Sequence, residues 1–371
     1  MTKFIRLYKD LILPVGLLTS FIIGAGMFAL PFIFYKAGIL IGVFYLVGFT
    51  LILISLHLMY WEIIKNTKGD HRFMGYAKIY LGEFGFWLSF LVTIFAFLFI
   101  LVIYIVLAPS FVRLVFPGVS QALSIFIFWF LGSAAIFVGI RKIAGLVFFI
   151  SLAMIIAVFL IFIYGVSLPG FSLKSIPLYN PAFVLLPFGP VLFSLGGRAA
   201  ISSVRDYFIK NRLKDTKFPL VIILGTIIPA LVYLFFVLGV FGLSNGMVSP
   251  DAVSGIKSLP LWMGVLGILG FLSLWTSYVF LGLELKGIFD LDLKIGHWPS
   301  IFLVVVLPIA FYFLGFKDFI FLVGIAGGIF LAIEGMLVVW MWKKRHRGFS
   351  FVPFVVPLLF VGMLYEVFKM F

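Results

Sequence analysis

Cysteine is absent from the 371 residues, which excludes disulfides, thiolate metal sites and a cysteine nucleophile. Charge is scarce too. Asp, Glu, Lys and Arg make up 11% of the chain, where an ordinary soluble protein has about 25%. The four histidines, His57, His71, His297 and His346, are scattered without metal-ligand spacing, so no metal site is expected. Alternating strands of the β-barrel kind are missing. So are a P-loop and any polar stretch long enough for a soluble domain. ATP-driven chemistry within this chain is thereby set aside. Converging Asp/His, Ser/His or Glu/His groups of a membrane-embedded enzyme are not found, since His57 with Glu62 lacks a paired nucleophile. No catalytic residue is assigned.

What is abundant is apolar: 64% of the residues are hydrophobic and 49 are Phe. Eleven apolar segments can be read, at Leu11–Ala37, Ile39–Ile64, Phe86–Val112, Ala122–Ile140, Ile143–Val166, Pro181–Tyr207, Phe218–Leu243, Leu259–Leu285, Pro299–Leu314, Phe319–Trp342 and Phe351–Val367. Runs of roughly 20 such residues span a bilayer as helices. The expectation is one all-α polytopic membrane domain over residues 1–371, embedded in lipid. The short basic stretch Met1–Asp10 is read as leading into an uncleaved first helix.

The net charge of +14 does not point to nucleic acid, because the positive residues alternate between loops. Most of the 27 lysines and arginines fall on the N-terminal side of the spans, for example Lys65, Lys68 and Arg72, then Lys210, Arg212 and Lys214, then Lys343, Lys344 and Arg345. That bias predicts a cytoplasmic-membrane protein with its N-terminus inside and its C-terminus outside. The longest connections are Lys65–Phe84, Ser167–Asn180 and Ser244–Ser258.

Two spans carry helix breakers. The first contains Ser20-Phe21-Ile22-Ile23-Gly24-Ala25-Gly26-Met27-Phe28-Ala29-Leu30-Pro31. In a helix interior Gly costs about 1 kcal/mol relative to Ala and Pro about 3. In hydrocarbon a freed backbone group costs several kcal/mol more unless protein or water satisfies it. The sixth span, Phe188-Gly189-Pro190-Val191-Leu192-Phe193-Ser194-Leu195-Gly196-Gly197-Arg198, has paired glycines at mid-segment. Gly26 and Gly197 stand 171 positions apart, and a shift of that size carries segments two to five onto seven to ten. Five helices per repeat is an odd number, so the second half enters from the opposite side. This is an inverted repeat, residues 11–166 and 181–342, followed by an eleventh helix at 351–367, and matched breaks mark a binding site for a small zwitterion.

Gly24-Ala25-Gly26-Met27-Phe28-Ala29-Leu30-Pro31 resembles the first-helix signature of the amino acid/auxin permease group, within the amino acid–polyamine–organocation superfamily. Gly196-Gly197-Arg198-Ala199-Ala200-Ile201-Ser202-Ser203-Val204-Arg205-Asp206-Tyr207-Phe208 is similar to the bacterial tyrosine/tryptophan permease pattern G-F-H-G-x-[IV]-P-S-L-x-x-Y-[YF]. Thr276-Ser277-Tyr278-Val279-Phe280-Leu281-Gly282, with Phe289-Asp290-Leu291 after it, resembles that family's T-S-[FY]-L-x-x-G … D-L run. Arg198 stands where the pattern has histidine, and Ser202 where it has proline. The resemblance implies a LeuT-type fold of five plus five helices with helices 1 and 6 broken. It also implies an ion-gradient-driven symporter of amino acids, aromatic or large neutral, and no enzyme. A non-transporting sensor on the same fold is the alternative.

The expected site follows. Gly24, Ala25, Gly26 and Met27 offer half-helix amides to a substrate carboxylate. Phe193, Ser194, Leu195, Gly196 and Gly197 offer carbonyls to its ammonium. Arg198 faces the substrate, pairs with Glu62, Glu284 or Glu334, or snorkels towards the cytoplasm, and Tyr104 matches a family tyrosine. Ser20 and Ile23 through their carbonyls, with Ser273, Thr276 and Ser277, form a candidate ion site for sodium, with a proton as the other coupling ion. No cofactor beyond the ion is expected.

Overall fold

In the computed structural model the described residues are 7–69, 71–139, 143–168, 171, 176–244, 247–255, 263–345 and 352–369. Of the basic loop residues, Lys3, Arg6, Arg141, Lys142, Lys174, Lys257 and Arg347 lie outside them, as do His346 and parts of the loops at 167–180 and 244–258. Among the described residues, seven helices are long and apolar enough to cross a membrane, and a bent pair makes an eighth. The shorter apolar helices His297–Phe313 and Phe354–Phe368 and the divided sixth span account for the rest.

The first span is two helices. α1 (Leu13–Ile22) ends where Ile23 turns extended, ψ 99°. Gly24 follows at φ −145°, ψ −155°, and the chain resumes as a 3-10 turn, Ala25–Ala29. It then relaxes into α2 (Leu30–Ala37), with Pro31 in its first turn, where a missing N–H costs nothing. The two halves are bent by 52°. The sixth span is likewise α7 (Phe188–Ser194) and α8 (Arg198–Lys210), separated by Leu195–Gly197. Its expected beginning at Pro181 is corrected. Pro181–Phe183 is only a 3-10 turn, capped by the Asn180 side chain, because Pro181, Pro187 and Pro190 leave no room for an unbroken ladder.

The remaining α-helices among the described residues are α3 (Ile39–Asn66), α4 (Phe73–Val115), α5 (Gln121–Val138), α6 (Ile143–Ser167), α9 (Phe218–Leu243), α10 (Met263–Gly287), α11 (His297–Phe313), α12 (Phe319–Ile325), α13 (Ala332–Arg345) and α14 (Val352–Phe368). Ser120 and Asp318 cap α5 and α12 through their side chains. α9 packs on α1 and α6, and α10 on α4 and α6. Gly165 of α6 meets Gly239 and Gly242 of α9 backbone to backbone, the close approach that small residues allow in membranes.

One further expectation is corrected. The connection Lys65–Phe84 is not all loop, since α4 already starts at Phe73. Phe73, Met74, Tyr76 and Ala77 bury one face of that segment, but with Lys78 inside it and so few residues it does not read as a span. Gly82, at φ 74°, joins it to the span proper, a left-handed conformation open to Gly at little cost. The tenth span has an irregularity of its own. Between α12 and α13 it widens into a π-turn, Ala326–Leu331, as Gly327 lets the Gly189 backbone of α7 come close.

Candidate functional site

The two breaks meet. A Cβ placed on Gly26 would lie 2.6 Å from both Cα and Oγ of Ser194 and 2.9 Å from Phe193 Cδ1. Glycine here is a condition of contact between the 3-10 turn and the end of α7. One on Gly197 would lie 2.7 Å from Ile22 Cγ1, so the second break leans on the end of α1 in turn.

Between them lies a cavity of about 110 Å3. Gly24, Ala25, Gly26, Phe193, Ser194, Gly196, Gly197 and Arg198 line it, together with Tyr104, Phe21, Phe97, Phe280 and Glu334. Met27 and Leu195, expected at the site, are fully buried and lie outside this lining. The Tyr104 hydroxyl is within 3.9 Å of where a Gly24 Cβ would be and interacts with Ser277 of α10. The break thus touches the helix that carries the expected ion ligands. Ser20 Oγ donates to the Gly16 carbonyl at 2.7 Å, and Thr276 Oγ1 donates back to the Leu272 and Ser273 carbonyls at 2.9 and 3.1 Å. Both hydroxyls keep oxygen lone pairs for another partner.

Of the three carboxylates weighed for Arg198, Glu334 is the partner. Nη2 donates to Glu334 Oε2 at 2.9 Å, and Nε pairs with Oε1. The guanidinium lies 3.9 Å from the centroid of Phe73 and 5.7 Å from that of Tyr60. Two ring faces and a two-point ion pair replace most of the water this cation would lose. Glu62 instead accepts from Trp342 Nε1 at 2.5 Å, and Glu284 lines a vestibule with Arg72 and Asp206. His57 and Glu62 do not act together: His57 is buried against Thr226 and Gly197.

Two vestibules flank the cavity. One of about 380 Å3, on the N-terminal face, shares Phe97, Arg198, Ala199 and Phe280 with it. The other, about 650 Å3 on the opposite face, is lined by Lys36, Asp251, Lys317 and Lys369 and shares no lining residue with it. The cavity therefore adjoins the N-terminal face, with the Arg198–Glu334 pair at the boundary. On the far side the loop after α9 is pinned to α4 through Asp251, which accepts from Ser110, Ser249 and Ser254 hydroxyls. Burial pushes the Asp251 carboxyl up, but these donors outweigh it and hold it below its ordinary value of 3.8. A depressed carboxylate stabilises above its unfolded pKa, and that contribution fades as pH falls through the folded value. Hydrogen exchange across residues 249–255 should stay slow from neutral pH down to the ordinary carboxylate range. In Ser110→Ala it should quicken at a higher pH; equal onsets in the two proteins would remove the pin.

Sequence reasoning missed two residues. Tyr233 of α9 directs its hydroxyl at the Ile22 and Ser194 carbonyls, at 2.6 and 2.8 Å, and so ties together the acceptors freed at the two breaks. Nothing in the sequence of α9 distinguishes it from a packing tyrosine. Leaving buried acceptors unmet costs about 1–3 kcal/mol. Tyr233→Phe should lower the thermal midpoint in detergent accordingly, and an unshifted midpoint would show that water serves these carbonyls equally well. The second is Glu366 of α14, 2% exposed, whose carboxylate enters a cradle of Gly189, Gly324 and Gly328 that any Cβ would obstruct. It follows a run of 15 uncharged residues, Phe351–Tyr365, so its acidity was a visible signal.

Two broken helices from opposed repeats, meeting around a cavity, define a secondary transporter. The chain belongs to the tryptophan/tyrosine permease family, whose model it matches over residues 8–359. It is a secondary amino-acid transporter and not an enzyme, and the aromatic specificity expected from the sequence fits the family's name. Among solved structures it is similar to MhsT in complex with L-phenylalanine, with a TM-score of 0.70 and 14% identity, covering 96% of each chain. It is also similar to an Eremococcus coleocola manganese transporter, with a TM-score of 0.60 and 15% identity, covering 100% of this chain and 87% of that one. These likenesses bear on the LeuT-type fold. No curated protein matches it.

Proposed function

We propose that the protein takes up amino acids with large neutral or aromatic side chains across the cytoplasmic membrane, driven by an ion gradient. The observation that carries this reading is the contact of the two breaks around a cavity walled by Phe21, Phe97, Phe193, Phe280 and Tyr104. A zwitterion placed there has its carboxylate at the amides of Gly24, Ala25 and Gly26 and its ammonium at carbonyls of Phe193, Ser194, Gly196 and Gly197, while its side chain packs on the rings. Release to the N-terminal face follows when the Arg198–Glu334 boundary opens, and a rocking of one bundle against the other exposes the site to the lysine-lined vestibule. The bias of basic loops supports an N-terminus inside and a C-terminus outside, which makes the N-terminal vestibule cytoplasmic.

The coupling ion in this reading is sodium, held by the Ser20 and Ile23 carbonyls with Ser273, Thr276 and Ser277, five hard oxygens of the kind such a cation takes. A proton is the alternative, with Glu334 the carboxylate to carry it. Radiolabelled tryptophan, tyrosine and phenylalanine uptake into proteoliposomes, with sodium and proton gradients imposed separately, tests the whole. Accumulation above equilibrium under one gradient supports symport; saturable binding without accumulation would make the protein a sensor. If sodium drives uptake, Thr276→Ala with Ser277→Ala should raise the sodium needed for half-maximal rate about tenfold or more, roughly the loss of one to two net hydrogen-bond equivalents. An unchanged cation response would move the ion elsewhere.

A further inference from the structure

Behind the break in the sixth span lies a second, much smaller void of about 20 Å3. It shares Gly196, Gly197, Arg198, Leu331 and Glu334 with the central cavity and adds His57 and an apolar floor. A void needs about 10–15 Å3 to admit one water, and the water needs two to four polar partners. Three such side chains line this one. His57 is 2% exposed, and among the described residues its Nε2 has no hydrogen-bond partner.

The Thr226 hydroxyl donates to the Ile222 carbonyl at 2.9 Å, so its oxygen is left to accept. His57 Nδ1, 3.4 Å from that oxygen, is therefore the ring's N–H, and Nε2 carries the lone pair. Nε2 calls for a donor from the void. Each Glu334 oxygen takes one guanidinium contact and keeps a lone pair. A cation would meet an acceptor nitrogen and a carboxylate here, but also the Arg198 guanidinium as a wall. A neutral molecule with two O–H donors and an oxygen that can face Arg198 satisfies all three.

We propose that this void is a binding site for a single water molecule, which donates to His57 Nε2 and to Glu334, and that His57 acts through it as a positioning residue for the Arg198–Glu334 pair. His57 belongs to α3, Arg198 opens α8 and Glu334 lies in α13, so the water ties the broken sixth span to the second and tenth. The water site stands independently of what the protein carries; the positioning role rests on the proposed transport.

Two measurements separate these. A cryo-EM or crystal map that resolves ordered water should show one peak between His57 and Glu334 in the wild type and none in His57→Leu. An empty void in the wild type, or density that depends on sodium, overturns the site. In uptake, His57→Leu should raise KM about tenfold and change the maximal rate less, the mark of lost ground-state binding. His57→Gln, which can still accept from the water, should return KM to within about threefold of wild type. Wild-type KM in His57→Leu, or no rescue by Gln, overturns the positioning role. Should His57→Leu fail to fold, the wild-type map and the KM of His57→Gln, which must stay near wild type, decide. Water present in a protein that accumulates no amino acid supports the site and sinks the transport reading alone.

Discussion

Gly26→Leu should lower amino-acid uptake by about 100-fold or more, equivalent to ~2.7 kcal/mol at 1.36 kcal/mol per decade, while the protein still inserts and purifies as a folded species. The reason is local. The first atom of any side chain at Gly26 falls 2.6 Å from Ser194 Cα, a backbone neighbour that no rotamer change can move. Forcing the breaks apart displaces the amides of Gly24, Ala25 and Gly26 from the carbonyls of Phe193, Ser194, Gly196 and Gly197, between which the proposed substrate site lies. Overpacking of this kind costs typically 1–3 kcal/mol of stability, which a core of this size tolerates. Gly48→Leu is the matched control, because nothing lies within 4 Å of its Cβ position. Gly26→Ala combined with Ser194→Gly should remain impaired, since deleting the hydroxymethyl group leaves Cα in place. Wild-type uptake by Gly26→Leu would mean that the two breaks need not touch.

The second large effect concerns Arg198 and Glu334. Removing either partner leaves a buried charge uncompensated, at a cost of about 3–5 kcal/mol. Arg198→Ala and Glu334→Ala should each lower the thermal midpoint severely. Arg198→Met with Glu334→Leu, which replaces the pair by apolar groups of similar volume, should recover most of that loss. Recovery of stability without recovery of uptake is the expected outcome, because the pair sits at the boundary between the cavity and the N-terminal vestibule. Additive losses in the double-mutant cycle would instead show that the two groups do not interact in solution. Arg198→Lys should rescue poorly, since a point charge reproduces neither the two-point contact nor the stacking over Phe73.

The sequence alone determined the class and the plan of this protein. An 11% charged chain in long apolar runs has to be a helical membrane protein. Glycines at matched positions of the first and sixth spans announced the breaks, because their cost in an unbroken helix is local and visible without any contact. The same locality explains what stayed hidden. The early start of α4 and the π-turn before α13 depend on neighbours: Phe73 packs over Arg198, and Gly327 yields to the backbone of α7. Only tertiary structure chose Glu334 from three carboxylates for Arg198, and only it revealed Tyr233 as the link between both breaks. Periodicity and propensity act along the chain. Which buried charge meets which, and which hydroxyl reaches a freed carbonyl more than two hundred residues away in sequence, is decided by the packing of one helix against another.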